Sequence, residues 1–439
     1  MMINPQSHSS NGYESNRLDD SRDVRPSMDL SLVDDESSVE SVLPLSADPT
    51  FHYELLRVLG TARDRGADVG EVLRAALRVI PGDFDSWHDE FAALAHAVRD
   101  DAMAAAARGK RVSARGAYFR AATYFRAADF FLHGNPNDAR ITTLWRLATS
   151  CFDEAISRLD VPAERFVIAA DGFTIPAVLY RAGYAGERRP TVLMCNGYDG
   201  SQEELLHVSG FAALERGFNV VTFEGPGQPS VLRSQGLGFI TEWEEVVSPV
   251  MNWCAASRDV DPGRVGLYGY SFGGFLVARA AAFEPRLTAV ACVDGIYDAH
   301  ASFTSSFPRP VAELFEVGAA DAFDRAVRVG MAHSTALRWA VEHGGWAFRA
   351  DGPFEFLTRT RDMTMKDIAH RIQCPVLVCD AENDAFFKGQ PVALAKAIGR
   401  NATHRVFTRS KAADAHCHVG ASDHVNSVVM DWFEDHLAC

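Results

Sequence analysis

Residues 266–275 read Gly-Leu-Tyr-Gly-Tyr-Ser-Phe-Gly-Gly-Phe, and they constrain the fold of this chain more than any other stretch. Gly269-x-Ser271-x-Gly273 follows the apolar run Arg264–Tyr268 directly, and a helix-compatible segment, Phe275–Phe283, comes next. Strand, sharp turn and helix in that order form a nucleophile elbow, which lifts one serine above a sheet. The serine takes a strained backbone angle, so its neighbours at −2 and +2 must lack bulk where strand and helix meet. A Gly-rich surface turn is the bland alternative. The strand before and the helix after argue against it.

The segments around the elbow continue the same grammar. A hairpin is expected from Arg165–Ala169 and Thr174–Tyr180 around Asp171-Gly172. Strand-like runs follow at Thr191–Cys195, Asn219–Phe223, Thr288–Val293, Val376–Cys379 and Arg405–Phe407, alternating with helix-compatible stretches. That alternation predicts a mostly parallel sheet with helices on both faces. The expected fold class is α/β, resembling an α/β-hydrolase fold with a mostly parallel eight-stranded sheet, a helical N-terminal domain and a helical cap insert.

Three regions are expected. Residues 1–46 are rich in Ser, Asp and Asn and poor in aromatics, which predicts a disordered acidic tail. Residues 47–160 predict a helical lid domain, with helices near 51–64, 69–79, 87–108, 114–133 and 137–158, and Ser113 as an N-cap. Residues 161–439 predict the hydrolase domain, interrupted at about 299–372 by an aromatic-rich helical cap. The fourth N-terminal helix carries Tyr118, Phe119, Tyr124, Phe125, Phe130 and Phe131. These either pack against neighbouring helices or line a pocket for a flat apolar substrate.

A serine hydroxyl needs an adjacent base oriented by a carboxylate. In this fold the chain order is Ser, acid, His. The acid is expected after the strand at 375–379, in Asp380-Ala-Glu-Asn-Asp384. Asp384 is the choice because it lies well into the loop; Asp380 hugs the strand and Glu382 is the reserve. The histidine is expected in Asp414-Ala-His-Cys-His-Val-Gly420, with His416 at the loop tip and His418 as its neighbour. Two backbone N–H groups must face the developing oxyanion. Phe272, next to the nucleophile, supplies one, and Tyr198, in Asn196-Gly-Tyr-Asp-Gly200, is the expected second. Asp199 is either a helix N-terminal carboxylate or a group touching substrate or water. Glu224-Gly-Pro-Gly-Gln228 lacks the basic residue of a phosphate loop and reads as a tight turn beside the site.

The formal net charge of −15, much of it in residues 14–40, argues against nucleic acid or anionic membrane as a partner. Eight scattered cysteines form no CxxC framework. There is no apolar signal core and no run of about 18 apolar residues. A cytoplasmic protein acting on a small molecule is expected, with no membrane partner. Neither clustered metal ligands nor a dinucleotide fingerprint calls for a metal or a cofactor.

Phe223-Glu-Gly-Pro-Gly-Gln-Pro-Ser230, Gly269-Tyr-Ser-Phe-Gly-Gly274, Asp294-Gly-Ile-Tyr-Asp298 and His416-Cys-His-Val-Gly-Ala421 together resemble one branch of the α/β-hydrolases. That branch comprises the fungal polyketide-shortening hydrolases of pigment biosynthesis, and it is similar to the 2,6-dihydropseudooxynicotine hydrolase group. The resemblance covers roughly residues 51–439. It implies a Ser271/Asp384/His416 triad and hydrolysis, often of a carbon–carbon bond next to a ketone, between the core and the helical segment. It also implies an assisting acid on the loop after the third strand, where Asp199 stands. Members of the branch commonly dimerise, so a homodimer is an open expectation. The same triad also serves acyltransferases and cyclases, and a hydrolase scaffold that only binds is a third reading.

Overall fold

The structure is a computed structural model, and it describes residues 43–437. The expected tail over 1–46 falls almost wholly outside those residues.

Five helices open the described chain: α1 Pro49–Gly60, α2 Val69–Ala76, α3 Phe84–Ala107, α4 Arg111–Asp129 and α5 Ala139–Ile156. Four of them start at an aspartate whose carboxylate accepts a first-turn N–H: Asp48, Asp68, Asp83 and Asp138. Each cap satisfies a donor that the helix itself leaves unpaired. The exception is α4, which follows Gly109 (φ +68°) and begins at Arg111 with no side-chain cap. Ser113 therefore lies inside the helix rather than at its start; the chain re-enters helical geometry as soon as the glycine has turned it.

The sheet has eight strands: β1 Glu164–Ala169, β2 Thr174–Tyr180, β3 Arg189–Cys195, β4 Asn219–Phe223, β5 Val260–Tyr270, β6 Ala289–Val293, β7 Val376–Ala381 and β8 Ala402–Phe407. Their order is β1-β2-β4-β3-β5-β6-β7-β8. The first two are antiparallel, both within the hairpin and against β4, and every later pairing is parallel. Parallel strands need covering on both faces. At β5 the cover is legible in two glycines. A Cβ on Gly266 would lie 2.7 Å from Phe433, in the last helix Ser422–Leu437. A Cβ on Gly269, three residues on and so on the opposite face, would meet Gly273 O at 2.2 Å and Val277 at 2.5 Å, in the helix Gly273–Ala281.

Between β6 and β7 the alternation stops, as expected, for five helices: Ala299–Ser305, Arg309–Glu316, Ala320–Met331, Thr335–Ala347 and Pro353–Arg359. Their aromatic residues pack among themselves and onto the core, Phe315 against Phe323 and Phe354, and Phe348 against Phe239 and Phe356. The six aromatics of the α4 region are all buried. Phe131 packs on Phe51, Phe84 and Trp87, and Phe119 on Phe152 and Phe211. They are core. Among the described residues no helix is long and apolar enough to cross a membrane, and the described cysteines are free thiols.

Candidate active site

Ser271 stands between β5 and the helix Gly273–Ala281 with φ +59°, in the left-handed region that a non-glycine residue rarely occupies. Its N–H donates to Val293 O at the end of β6, which fixes the turn. The flanking glycines are there because of close approach: a Cβ on Gly273 would lie 2.7 Å from Cys195 O. The serine is thus held where the C-terminal ends of β3, β5 and β6 converge.

His416 lies in a short turn after β8, and its Nε2 is 2.8 Å from Ser271 Oγ. Its other ring nitrogen, Nδ1, is 2.9 Å from Asp384 Oδ2. Asp384 sits three residues beyond β7, where its Oδ1 accepts the N–H groups of Phe386 (2.7 Å) and Phe387 (3.0 Å). The phenyl rings of those two residues flank His416 at 5.0 and 5.2 Å. The three residues expected from chain order are therefore brought together.

A second carboxylate, which sequence reasoning passed over, shares the same nitrogen. Asp294, the residue after β6, places Oδ2 3.0 Å from His416 Nδ1 and accepts the Cys417 N–H at 2.8 Å. Its Oδ1 lies 3.1 Å from His418 Nε2. His418 Nδ1 is 2.8 Å from Ala413 O, and since a carbonyl only accepts, that nitrogen carries a proton. Burial would raise the Asp294 carboxyl, but His418 and His416 overcome it and hold it well below the usual range. Asp384 moves up, through burial and the Asp294 charge, against the pull of His416. Burial works against a charged His416, yet the carboxylates, Asp384 first, raise it well above an ordinary histidine. His418 thus touches Asp294, not the serine, and lies tilted against Phe407 with ring centroids 4.1 Å apart.

The loop after β3 is braced from within. Asn196 Oδ1 accepts the Gly197 N–H at 2.7 Å, and Gln228 Nε2 donates to Asn196 O at 2.6 Å. Gln228 Oε1 in turn accepts the Gly225 N–H at 2.9 Å, so Glu224-Gly-Pro-Gly-Gln228 is the tight turn expected, supporting the loop. The N–H groups of Phe272 and Tyr198 have no acceptor among the described residues. The Tyr198 hydroxyl donates to Ala340 O in the cap at 2.7 Å, and its ring meets Phe303 and Trp339.

Asp199 is not a solitary helix-start carboxylate. It accepts from Arg57 Nη2 at 2.8 Å and from Arg126 Nη2 at 3.3 Å, bonds that reach into α1 and α4. Glu204 takes Arg57 Nε at 2.6 Å and Nη2 at 2.8 Å. Burial raises the Asp199 carboxyl, but Arg57 and Arg126 outweigh it and bring it to about 2. Removing Arg57 should therefore be costly. Arg57→Leu strands buried carboxylates on Arg126 alone, and loses about 3–5 kcal/mol in urea denaturation at neutral pH. Asp199 contributes stability above its unfolded pKa of 3.8, which is lost as pH falls toward about 2. The gap between wild type and variant should narrow over that window; a gap that widens there would refute the ion-pair account.

One cavity of about 160 Å³ joins these parts, with Ser271 and His416 on its floor. Phe303, Trp339 and Phe356 of the cap form one wall, and Phe386 and Phe387 another. Tyr53, Glu54 and Arg57, all from α1, complete it, and none of the six aromatics of the α4 region lines it. The Tyr53 hydroxyl donates to His416 O at 3.2 Å, which ties α1 to the histidine turn. Asp294, His416 and Cys417 bring potential metal-ligand atoms within 4.8 Å of one another, but His416 is already engaged through both ring nitrogens.

Residues 171–426 match the family model described as X-Pro dipeptidyl-peptidase (S15 family). The 20-hydroxy-prefusarin hydrolase FUS2 of Gibberella moniliformis is 35% identical over 354 residues, spanning 78% of this chain and 84% of that protein. Hydrolase acrC of Aspergillus aculeatus is 32% identical over 367 residues, spanning 77% and 83%. Among solved structures, 2,6-dihydroxy-pseudo-oxynicotine hydrolase superposes with a TM-score of 0.69 at 20% identity, covering 86% of this chain and 95% of that one. By its eight-stranded sheet, its elbow and these relatives, the chain belongs to the α/β-hydrolase family, in the group that contains these fungal hydrolases.

Proposed function

We propose that this protein is a serine hydrolase that cleaves a carbonyl-linked bond of a polyketide-like or aromatic metabolite, either a carbon–carbon bond next to a ketone or an ester. The observation that carries the reading is the unbroken line from Ser271 Oγ to His416 Nε2 (2.8 Å) and from His416 Nδ1 to Asp384 (2.9 Å). Ser271 Oγ attacks the carbonyl while His416 takes its proton, and Asp384 holds the ring and offsets the imidazolium charge. The unengaged Phe272 and Tyr198 N–H groups receive the oxyanion. Collapse expels the leaving group, an alkoxide or an enolate carbon, which His416 protonates. Water, activated by His416, then frees the acid and restores Ser271. Asp199 lines the same cavity and acts through its ion pairs on the substrate side.

The aromatic wall of Phe303, Trp339 and Phe356 suits a flat apolar substrate. The same wall favours one rival reading, in which the cap excludes water and the acyl group passes to another acceptor or closes a ring. Turnover in ¹⁸O-labelled water separates the two. A hydrolase places one heavy oxygen in the acid product. Product free of label makes the protein a transferase or cyclase, and failure of a fluorophosphonate probe to label Ser271 refutes both readings.

A further inference from the structure

The ionic cluster beside the catalytic cavity does not balance. Two guanidinium groups, Arg57 and Arg126, face three carboxylates, Glu54, Asp199 and Glu204; Glu54 and Arg57 are buried, and the other three are largely covered. His343 is the next basic group beside Asp199. Burial, with His133 adding to it, lowers its pKa to about 3, so it brings no charge. The surplus falls on one residue. Asp199 has two arginine contacts, and Glu204 has both arginines and Asn196 Nδ2 at 3.2 Å. Among the described residues Glu54 has only Arg57 Nη1, at a long 3.5 Å. Its side chain is 6% exposed, yet it lines the cavity that holds Ser271 and His416.

A buried carboxylate with so little compensation is costly unless it gains a proton or a partner. Burial raises the Glu54 carboxyl to about 7, against the pull of Arg57 and with Asp199 adding to it. The reaction uses Ser271, His416 and Asp384, and the lining around them is mostly aromatic and aliphatic, with Arg57, Asp199 and the hydroxyls of Ser302, Ser305 and Ser306 among its other polar groups. What an under-compensated carboxylate in such a cavity can do is accept a hydrogen bond from whatever enters.

We propose that Glu54 is a specificity-determining residue, the acceptor for a hydroxyl or ammonium group that the substrate carries apart from its reacting carbonyl. The proposal rests on the serine-hydrolase reading of the same cavity. Glu54 lies one helical turn before Arg57 on α1, so the helical segment brings to the cavity a polar selector as well as a cover. A substrate donor placed on Glu54 supplies the partner that the cluster lacks. A methyl group there leaves the carboxylate unpaired, and such mismatches cost far more than a missing apolar contact.

The test compares p-nitrophenyl esters of straight-chain acids of six to ten carbons, each ending in methyl, hydroxyl or amine. Wild type should favour a hydroxyl- or amine-ended ester over its methyl-ended counterpart by about 10- to 100-fold in kcat/KM at the chain length that spans the site. Which donor is preferred tells an alcohol-bearing substrate from an amine-bearing one. Glu54→Leu should abolish or invert that ratio, and Glu54→Gln should keep part of it. Because each variant removes the surplus charge, neither should unfold before wild type in urea. Ser271 labelling by a fluorophosphonate is read in every sample. Absent labelling in wild type overturns the serine reading itself. Intact labelling with no donor preference in wild type, or with a ratio unmoved by Glu54→Leu, overturns the role of Glu54 alone.

Discussion

Ser271→Ala is expected to lower kcat/KM by on the order of 10⁴–10⁶-fold while leaving the fold intact. On the proposed mechanism the loss is large because nucleophile and base work as one unit, so removing Ser271 or His416 alone removes nearly all the benefit of the set. The fold should survive because the elbow is held by its backbone. The Ser271 N–H to Val293 O bond and the glycine contacts do not involve the hydroxyl. Alanine at φ +59° pays about the same conformational penalty as serine, so denaturation midpoints should agree closely. One side chain could blur the result. Cys417 Sγ lies 3.3 Å from His416 Nε2, near the place that Ser271 Oγ vacates. Burial raises that thiol to about 11, against the pull of His416, so it carries almost no thiolate at neutral pH. The residual rate of Ser271→Ala should therefore be unchanged by a Cys417→Ala second substitution. A variant that retains wild-type turnover, or a residual rate that depends on Cys417, would remove Ser271 from its assigned role.

The elbow was legible because its physics is local. A strand, a turn too tight for side chains and a helix lie within about twenty residues, and each leaves its mark on neighbouring positions. The strands were legible for the same reason: β4 runs over Asn219–Phe223, the same residues as the apolar run in the sequence. Chain order then narrowed the partners to two loops, and position within each loop led to Asp384 and His416. What escaped were contacts between distant segments. Arg57 meets Asp199 and Glu204 across more than 140 positions, and no pattern around Arg57 distinguishes it from other arginines on the surface of a helix. Asp294 is a different kind of miss. It directly follows the apolar run of β6, the strand next to β5 in the sheet, and an acid at that end must lie near the elbow. Treating the order Ser, acid, His as admitting one acid hid it. The α4 aromatics are buried because a helix packed between α3 and α5 must fill both sides, whereas the N-terminal helices reach the cavity of Ser271 through α1.

Two carboxylates on one histidine nitrogen make the acid assignment testable in a way that a single acid would not. Asp384→Asn is expected to lower kcat by about 10²–10⁴-fold, and Asp294→Asn by less than about 10-fold. The reasoning starts from what each side chain must satisfy. Asp384 Oδ1 accepts two backbone N–H groups, from Phe386 and Phe387, so an asparagine there keeps its carbonyl oxygen on that side. Its amide then points at His416 Nδ1 as a donor, which favours the tautomer with the proton on Nε2. That nitrogen can no longer accept the Ser271 proton. Asp294 still offers an acceptor to Nδ1–H at 3.0 Å, which is why the loss spans a range and does not reach that of Ser271→Ala. At position 294 the demands run the other way. The oxygen side must accept the Cys417 N–H and face His416 Nδ1, and the remaining atom faces His418 Nε2. Once the carboxylate opposite is replaced by a neutral amide, the ring has no anion left to face: with Nδ1–H kept on Ala413 O, Nε2 serves as an acceptor, which the new amide can satisfy. Asparagine therefore fits one site and misfits the other. Rates for both variants over pH 5–9, with thermal melts to confirm folding, decide the matter. If Asp294→Asn is the more damaging of the two while both remain folded, Asp294 rather than Asp384 orients the histidine, and the acid of this site comes from the end of β6.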